Sequence, residues 1–522
     1  MPQELFASRA LLRRSLLAAT AALAIGVVPA QASSDTVRVI VAFKPGAAAA
    51  VRGAVSTARG SVQLEIFGMD AMAVEVPTRA LAGLARNPNV EYVEEDAKRY
   101  PLAGTSPSDG SPYTLGQLVP YGIPMVQADL LPDSNASNRK VCIIDSGYDR
   151  AHEDLAQNAV TGENDSGTGN WYEDQNHHGT HVAGTIAAIN NSGVGIVGVA
   201  PNKQLKLHII KVFDAAGWAY SSTLAAAANK CGAAGANVIS MSLGGSRLVK
   251  TEERAFNTLY NNNVLSIAAA GNAGTTAKSY PAAYASVVSV AAVDESRAWA
   301  TFSQYNSDVE IAGPGVNVLS TVPMGTGKRS SLTVGSSTYD PGSMDGSPTA
   351  TATAPLADFG IGDGLNASVS GKVCLIARGT IDFATKVSNC QTSGGVGAVV
   401  YNNAAGGFGG TLGTTVTTIP SVSASDTEGA AMKLQLGQSA TVSVAAWNYA
   451  FFDGTSMATP HVSAVAALVW SRNMGCTAAQ LRNSLNKSAQ DLGPAGRDTK
   501  FGFGLVQAKV AHDRITSLGC GN

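Results

Sequence analysis

Residues 140–149 read Lys-Val-Cys-Ile-Ile-Asp-Ser-Gly-Tyr-Asp, "KVCIIDSGYD". The apolar residues run consecutively up to Asp145 rather than alternating with polar ones, so the segment does not read as a half-exposed strand. It suits a strand buried on both faces, as in a parallel sheet covered by helices. Runs of the same kind follow as "LHIIKVF" (207–213), "NVISMSLGG" (237–245), "NVLSIAAAGN" (263–272) and "SVVSVAAVD" (286–294). Between them lie helix-like segments such as "STLAAAANKCGAAG" (222–235) and "KTEERAFNTLYNNN" (250–263). From about residue 113 the chain therefore predicts an α/β fold, a mostly parallel central sheet with helices on both faces.

Two other regions depart from that pattern. Residues 36–97 combine the strand-like "TVRVIVAF" and "AMAVEVP" with the helix-like "VRGAVSTARG" and "RALAGLARN", and "VEYVEED" closes a small α+β unit. The polar "PLAGTSPSDGSP" (101–112) reads as an exposed linker. Residues 325–447 are rich in Thr, Ser, Gly and Ala, with short β-like runs, and predict a β-rich domain inserted into the α/β pattern. That pattern resumes at "YAFFDGTSMATPHVSAVAALVWSRN" (449–473).

A chain of 522 residues has room for two or three cores. Its net charge of −2 supplies no field that would draw it to nucleic acid or to an anionic membrane. The N-terminus has the parts of an export signal over residues 1–32: Arg9, Arg13 and Arg14, an apolar Ser15–Val28, then Ala30-Gln31-Ala32. The apolar part is too short to remain as a membrane span, and no later segment reads as one. The expected product is secreted, passing through the periplasm in transit. The six cysteines (Cys142, Cys231, Cys374, Cys390, Cys476, Cys520) suit an oxidising compartment and lack a Cys-x-x-Cys frame.

Three segments carry candidate chemistry. Asp145 ends its strand at the edge where open parallel sheets gather ligands, although a lone Asp there is more often a cap or turn residue. "NHHGTHVAGTIAAI" (176–189) places His177, His178 and His181 at the head of a helix. "FDGTSMATPH" (452–461) places Ser456 at a helix start, with Pro460 expected in the first turn. Acyl transfer needs a nucleophile, a base, a carboxylate to orient the base, and donors for the oxyanion. Asp145, one of the three histidines and Ser456, in that chain order, would supply the first three, and Asn272 at the end of "AAAGN" could supply a donor. An esterase of the α/β-hydrolase type has another chain order and a G-x-S-x-G that is missing around Ser456.

The segments "IIDSGYDRAHEDL", "HGTHVAGTIAA", "SMSLGG", "AAAGN", "YPAAYASVVSVAAVD" and "DGTSMATPHVSA" resemble the subtilases, the subtilisin-like serine proteases. The likeness covers nearly all of 113–323 and 448–510, and implies a catalytic domain over 113–324 and 448–522. It implies that Ser456 is the nucleophile, His178 the base and Asp145 its orienting carboxylate. His181 is then structural, His177 a neighbour without a role, and Asn272 shares the oxyanion with the Ser456 N–H. Protein and peptide substrates would bind by strand addition to Gly217-Trp218-Ala219 and Ser242-Leu243-Gly244, with a mainly apolar preference and with Trp218 narrowing a more distant pocket. "GQLVPYGIP" matches the start of the mature family enzymes and suggests a structural Ca²⁺ held by Gln117, Asp154, Asn191 and carbonyls of the Asn191 loop. Catalysis itself would need no cofactor.

Residues 36–102 resemble the family's inhibitory propeptide, an intramolecular inhibitor and folding aid, cut by the enzyme itself near Leu102 within a window from about 99 to 113. "GKVCLIARG", "KVSNC", "GGVGAVVYNN" and "IPSVSAS" within 325–447 resemble the protease-associated (PA) domain, whose usual disulfide matches Cys374 and Cys390. By position in secreted subtilases, Cys142 would pair with Cys231 and Cys476 with Cys520. The expected protein is a monomeric, exported serine endopeptidase made as a zymogen. A binding protein on an inactive protease scaffold is the competing reading, and the intact Asp145, His178, Ser456 and Asn272 set argues against it.

Overall fold

The apolar runs pair side by side into a seven-stranded sheet in the order Val309–Pro314, Val287–Val293, Leu265–Ala269, Val238–Met241, Lys140–Asp145, Lys206–Lys211, Val160–Asn164. All these pairings are parallel. The computed structural model describes residues 36–102, 104–105, 117–191, 194–342 and 344–522. The expected export signal and most of the linker lie outside the described residues.

Burial on both faces is visible within one strand. Val141 and Ile143 belong to the core shared with the helices His178–Ala187 and Thr455–Arg472. Cys142 and Ile144 belong to the opposite core, under the helices Ser221–Ala233 and Lys250–Asn261. This is the period-two alternation of a strand with helices on either side. In space the sheet reverses its order at Lys140–Asp145, whose neighbours both come later in the chain. Asp145 therefore opens onto the crevice outside the carboxyl ends of the strands.

Thr455–Arg472 is buried at every residue but Arg472, and Pro460 is its sixth residue. Pro460 is thus not in the first turn, as the sequence suggested, but in the second. A proline there cannot donate to the carbonyl four residues back. That carbonyl belongs to Ser456, and the Ser242 hydroxyl donates to it at 2.7 Å. A tertiary contact replaces the missing helical hydrogen bond.

Residues Thr36–Glu95 form a four-stranded sheet in the order Ser61–Glu65, Ala71–Pro77, Thr36–Phe43, Val90–Glu95. One face packs its own helix Ala48–Thr57, and the other sets Ile40, Ala42 and Ala71 against Ala225, Ala226, Val249 and Ala255. The β-rich region builds a second seven-stranded sheet in which Gly327–Val334 pairs with Ser439–Trp447. It extends the pair of strands Val318–Thr321 and Tyr449–Asp453, part of a three-stranded sheet, and the second of them leads directly into the Ser456 helix. Disulfides join Cys142 to Cys231, Cys374 to Cys390 and Cys476 to Cys520. The first pins the strand of Asp145 to the helix Ser221–Ala233.

Candidate active site

Asp145 is fully buried, and its Oδ1 accepts from His178 Nδ1 at 2.7 Å and from the Ser146 N–H at 2.7 Å. The helix of His178 can approach this strand end because Gly179 lacks a side chain: a Cβ there would lie 2.3 Å from the Gly147 carbonyl oxygen. Asp174, which sequence reasoning missed, fixes the helix start. Its carboxylate accepts from the N–H groups of Asn176, His177 and Thr180 at 3.0, 2.9 and 2.8 Å. His177 itself is left-handed at φ +74° just before the helix. The only local hint was an acid four residues before His178.

Two other buried imidazoles, His181 and His461, are unsuited to proton transfer near neutrality. His181 Nε2 meets the Val318 and Ala450 carbonyls at 3.0 and 3.1 Å, and burial pushes its pKa down to about 3. His461 faces the Met457 carbonyl, and burial lowers it to about 4. Both stay neutral, as structural histidines do. His178 stands against a fully buried carboxylate, with its Nε2 buried and unpartnered among the described residues.

Asn272 and Ser456 converge on a single atom, the carbonyl oxygen of Leu102. Asn272 Nδ2 donates to it at 2.7 Å and the Ser456 N–H at 3.3 Å. Thr455 orients the amide, because Asn272 Oδ1 accepts from the Thr455 N–H at 2.9 Å and from its hydroxyl at 2.7 Å. The Ser456 hydroxyl donates at 2.9 Å to the Ser242 carbonyl and is turned away from the imidazole.

Leu102 arrives at the end of the strand Lys98–Pro101, which runs antiparallel between Ala219–Tyr220 and Leu243–Gly244. The Leu102 N–H donates to the Ser242 carbonyl at 3.2 Å. A Cβ on Gly244 would lie 3.0 Å from Leu102 Cδ1, so the glycine makes room for the leucine side chain. On this side of the cleft the pairing differs from the sequence expectation. Ala219 and Tyr220 make the ladder, while Gly217 turns at φ +67° and its N–H bonds back to Asp214. A Cβ on Gly217 would sit 3.9 Å from Pro101. Trp218 carries the Lys98 ammonium 4.1 Å over its ring, a cation–π contact. Beyond Leu102, Gly104–Thr105 pairs antiparallel with Phe452–Asp453, a contact with no signal in the sequence.

The expected calcium ligands also come together. Gln117 Nε2 points at the Ile189 and Ile196 carbonyls, at 2.9 and 3.1 Å, and at Asn191 Oδ1, at 3.3 Å. Asp154 is buried beside them, accepting from Asn191 Nδ2 at 2.7 Å and the Ile196 N–H at 2.9 Å, and burial raises its pKa. Three neutral oxygens and a carboxylate next to one amide are a donor set for a hard cation. No group of three or more His, Cys, Asp or Glu side chains with metal-ligating geometry occurs among the described residues.

An imidazole held by a buried carboxylate, a hydroxyl at a helix N-terminus and two donors on one carbonyl oxygen are the parts that acyl transfer requires. The chain is also similar to known proteins. Residues 136–357 match the subtilase family and residues 343–432 match the PA domain. An alkaline protease of Alkalihalobacillus alcalophilus is 38% identical over 261 residues, 49% of this chain and 63% of that protein. Subtilisin NAT of Bacillus subtilis subsp. natto is 36% identical over 309 residues, 56% of this chain and 75% of that protein. The crystal structure of the psychrophilic subtilisin-like protease Apa1 from the Antarctic psychrotroph Pseudoalteromonas sp. AS-11 is 46% identical with a TM-score of 0.63, covering 78% of this chain and all of that one.

Proposed function

The chain belongs to the subtilase family of serine endopeptidases, and from that premise we propose that it is an exported protease, made as a self-inhibited zymogen, that cleaves proteins through Ser456, His178 and Asp145. The observation that carries the reading is the Leu102 carbonyl oxygen, which accepts from both Asn272 Nδ2 and the Ser456 N–H. Leu102 lies where a substrate carbonyl would, at the end of a strand added to the edges of the cleft.

In this reaction the Ser456 hydroxyl rotates from the Ser242 carbonyl toward His178 and attacks the carbonyl carbon. His178 Nε2 takes the proton while Asp145 holds the Nδ1–H and stabilises the imidazolium. The oxyanion that forms stays between Asn272 and the Ser456 N–H, at the positive end of the helix. His178 then gives the proton to the leaving amine, and water releases the acyl group by the same route. A serine-directed fluorophosphonate is expected to label the mature protein on Ser456, mapped by peptide mass spectrometry. Folded protein that takes no label overturns the reading.

Residues 36–102 act as inhibitor and folding aid. Neither the helix Ser221–Ala233 nor the helix Lys250–Asn261 has a side-chain cap of its own. Asp96 accepts from the Ser222 N–H at 2.9 Å, and Glu94 accepts from the Lys250 and Thr251 N–H groups at 2.9 Å. Each cap contributes about 1 kcal/mol, and both belong to the segment that cleavage removes. A parallel sheet that forms slowly gains from a surface that organises two of its helices.

The Gln117, Asp154 and Asn191 set holds Ca²⁺, with the Ile189 and Ile196 carbonyls completing the shell. The ion would tie the start of the catalytic unit to the loop after the His178 helix. Saturating calcium should stabilise the mature enzyme by about 2.7 kcal/mol at 100 times Kd. Calorimetry is expected to show Tm falling by several degrees on chelation and recovering with added calcium. Equal Tm values in chelator and in calcium would remove the assignment.

A further inference from the structure

Along the strand that ends at Leu102, side chains alternate between solvent and protein. Tyr100 is 46% exposed, whereas Arg99 is fully buried. Arg99 Nε donates to Glu252 Oε1 at 3.3 Å, Nη2 donates to the second carboxylate oxygen, and Nη2 also reaches the Arg247 carbonyl at 3.0 Å. Glu252 is fully buried too, on the helix Lys250–Asn261 of the catalytic unit. The two partners therefore sit on opposite sides of the Leu102 cleavage point: Arg99 departs with residues 36–102 and Glu252 remains. Burial pushes the Glu252 carboxyl up, and the Arg99 charge is the strongest influence against it.

A carboxylate buried without a partner costs several kcal/mol. Once the N-terminal segment leaves, Glu252 faces an emptied pocket at the position that Arg99 filled. With Leu102 counted as the first residue before the scissile bond, Arg99 is the fourth. We propose that Glu252 makes this pocket a guanidinium subsite, so that the enzyme selects protein segments with Arg at the fourth position before the cleaved bond. This rests on the protease reading above, and it adds a charged subsite to the mainly apolar preference that the family likeness implies for the residue just before the cleaved bond. The planar guanidinium can take both carboxylate oxygens and the Arg247 carbonyl together, which the single ammonium of Lys cannot match. The N-terminal segment inhibits as the matching occupant, with Arg99, Pro101 and Leu102 in the places a substrate would use.

The test uses mature enzyme and para-nitroanilides of X-Tyr-Pro-Leu, with X as Arg, its neutral isostere citrulline, or Leu. Arg is expected to exceed citrulline in kcat/KM by at least about 30-fold, the loss that follows when one member of a buried charge pair goes unmatched. In Glu252→Gln that ratio should fall to within about threefold, and Glu252→Leu should favour the Leu peptide over the Arg peptide. Equal rates for Arg and citrulline, in enzyme that fluorophosphonate still labels, overturn the inference and leave the protease reading standing. A ratio that persists in Glu252→Gln overturns the assignment to Glu252. Hydrolysis of no peptide together with absence of labelling overturns both. The Arg-to-citrulline comparison on unaltered enzyme decides the subsite even where a variant fails to mature.

Discussion

Ser456→Ala is expected to accumulate as an unprocessed chain, with residues 36–102 still joined to the rest and peptide hydrolysis lowered by about 10⁶-fold, a magnitude that comes from subtilisin. The substitution removes a nucleophile without opening a defect. The Ser456 hydroxyl makes its hydrogen bond to the Ser242 carbonyl, and that carbonyl also accepts from the Leu102 N–H. Loss of the hydroxyl therefore leaves no buried acceptor unpaired. The Ser456 N–H stays in place, so the Leu102 carbonyl keeps both donors and the strand Lys98–Pro101 keeps its pairings. Failure to mature would then be chemical and not a failure to fold. Intact-mass measurement of the variant made alone in vitro gives the answer. A chain trimmed beside Leu102 under those conditions would show that another group performs the cleavage.

How much of this could be read in advance depends on whether a feature is local. The parallel sheet was legible because strands covered on both faces must be apolar throughout, and "KVCIID" and "NVISM" state that directly. Asp145 and Asn272 were legible because each ends a strand-like run within its own segment, whereas three histidines share one helix entrance and only the family resemblance singled out His178. Pro460 was misplaced because the helix begins at Thr455, and the group that compensates, the Ser242 hydroxyl, is 214 residues away. Asp174 and Thr455 position their neighbours through hydrogen bonds that any polar residue could equally have spent on water. The ladder on Ala219–Tyr220 depends on register, and a shift of one residue leaves no trace in composition. Glu252 lies in "KTEERAF" like any exposed helix acid, and only the pairing with Arg99 shows it buried. Long-range pairings of this kind carry the specificity of the cleft, while the chemistry sits in short motifs.

Asn272→Ala is expected to lower kcat by about 10²–10³, or about 2.7–4 kcal/mol, a magnitude that comes from subtilisin, with KM changed far less. The asymmetry follows from when the interaction strengthens. In the ground state Asn272 Nδ2 donates to a neutral carbonyl at 2.7 Å, an interaction of modest net value. As Ser456 attacks, that oxygen takes on full negative charge, and the same donor becomes a charge-assisted one. The amide needs no reorientation for this, because the Thr455 N–H and hydroxyl already hold its Oδ1. The Ser456 N–H remains as a second donor, which limits the loss to less than that of removing the nucleophile. The variant also frees two Thr455 donors near the helix start, so its Tm should fall slightly. Fluorophosphonate titration separates that effect by counting competent sites before kcat is computed. A variant with full site occupancy and unchanged kcat would mean that Asn272 holds the strand of Leu102 in place but does not stabilise the oxyanion.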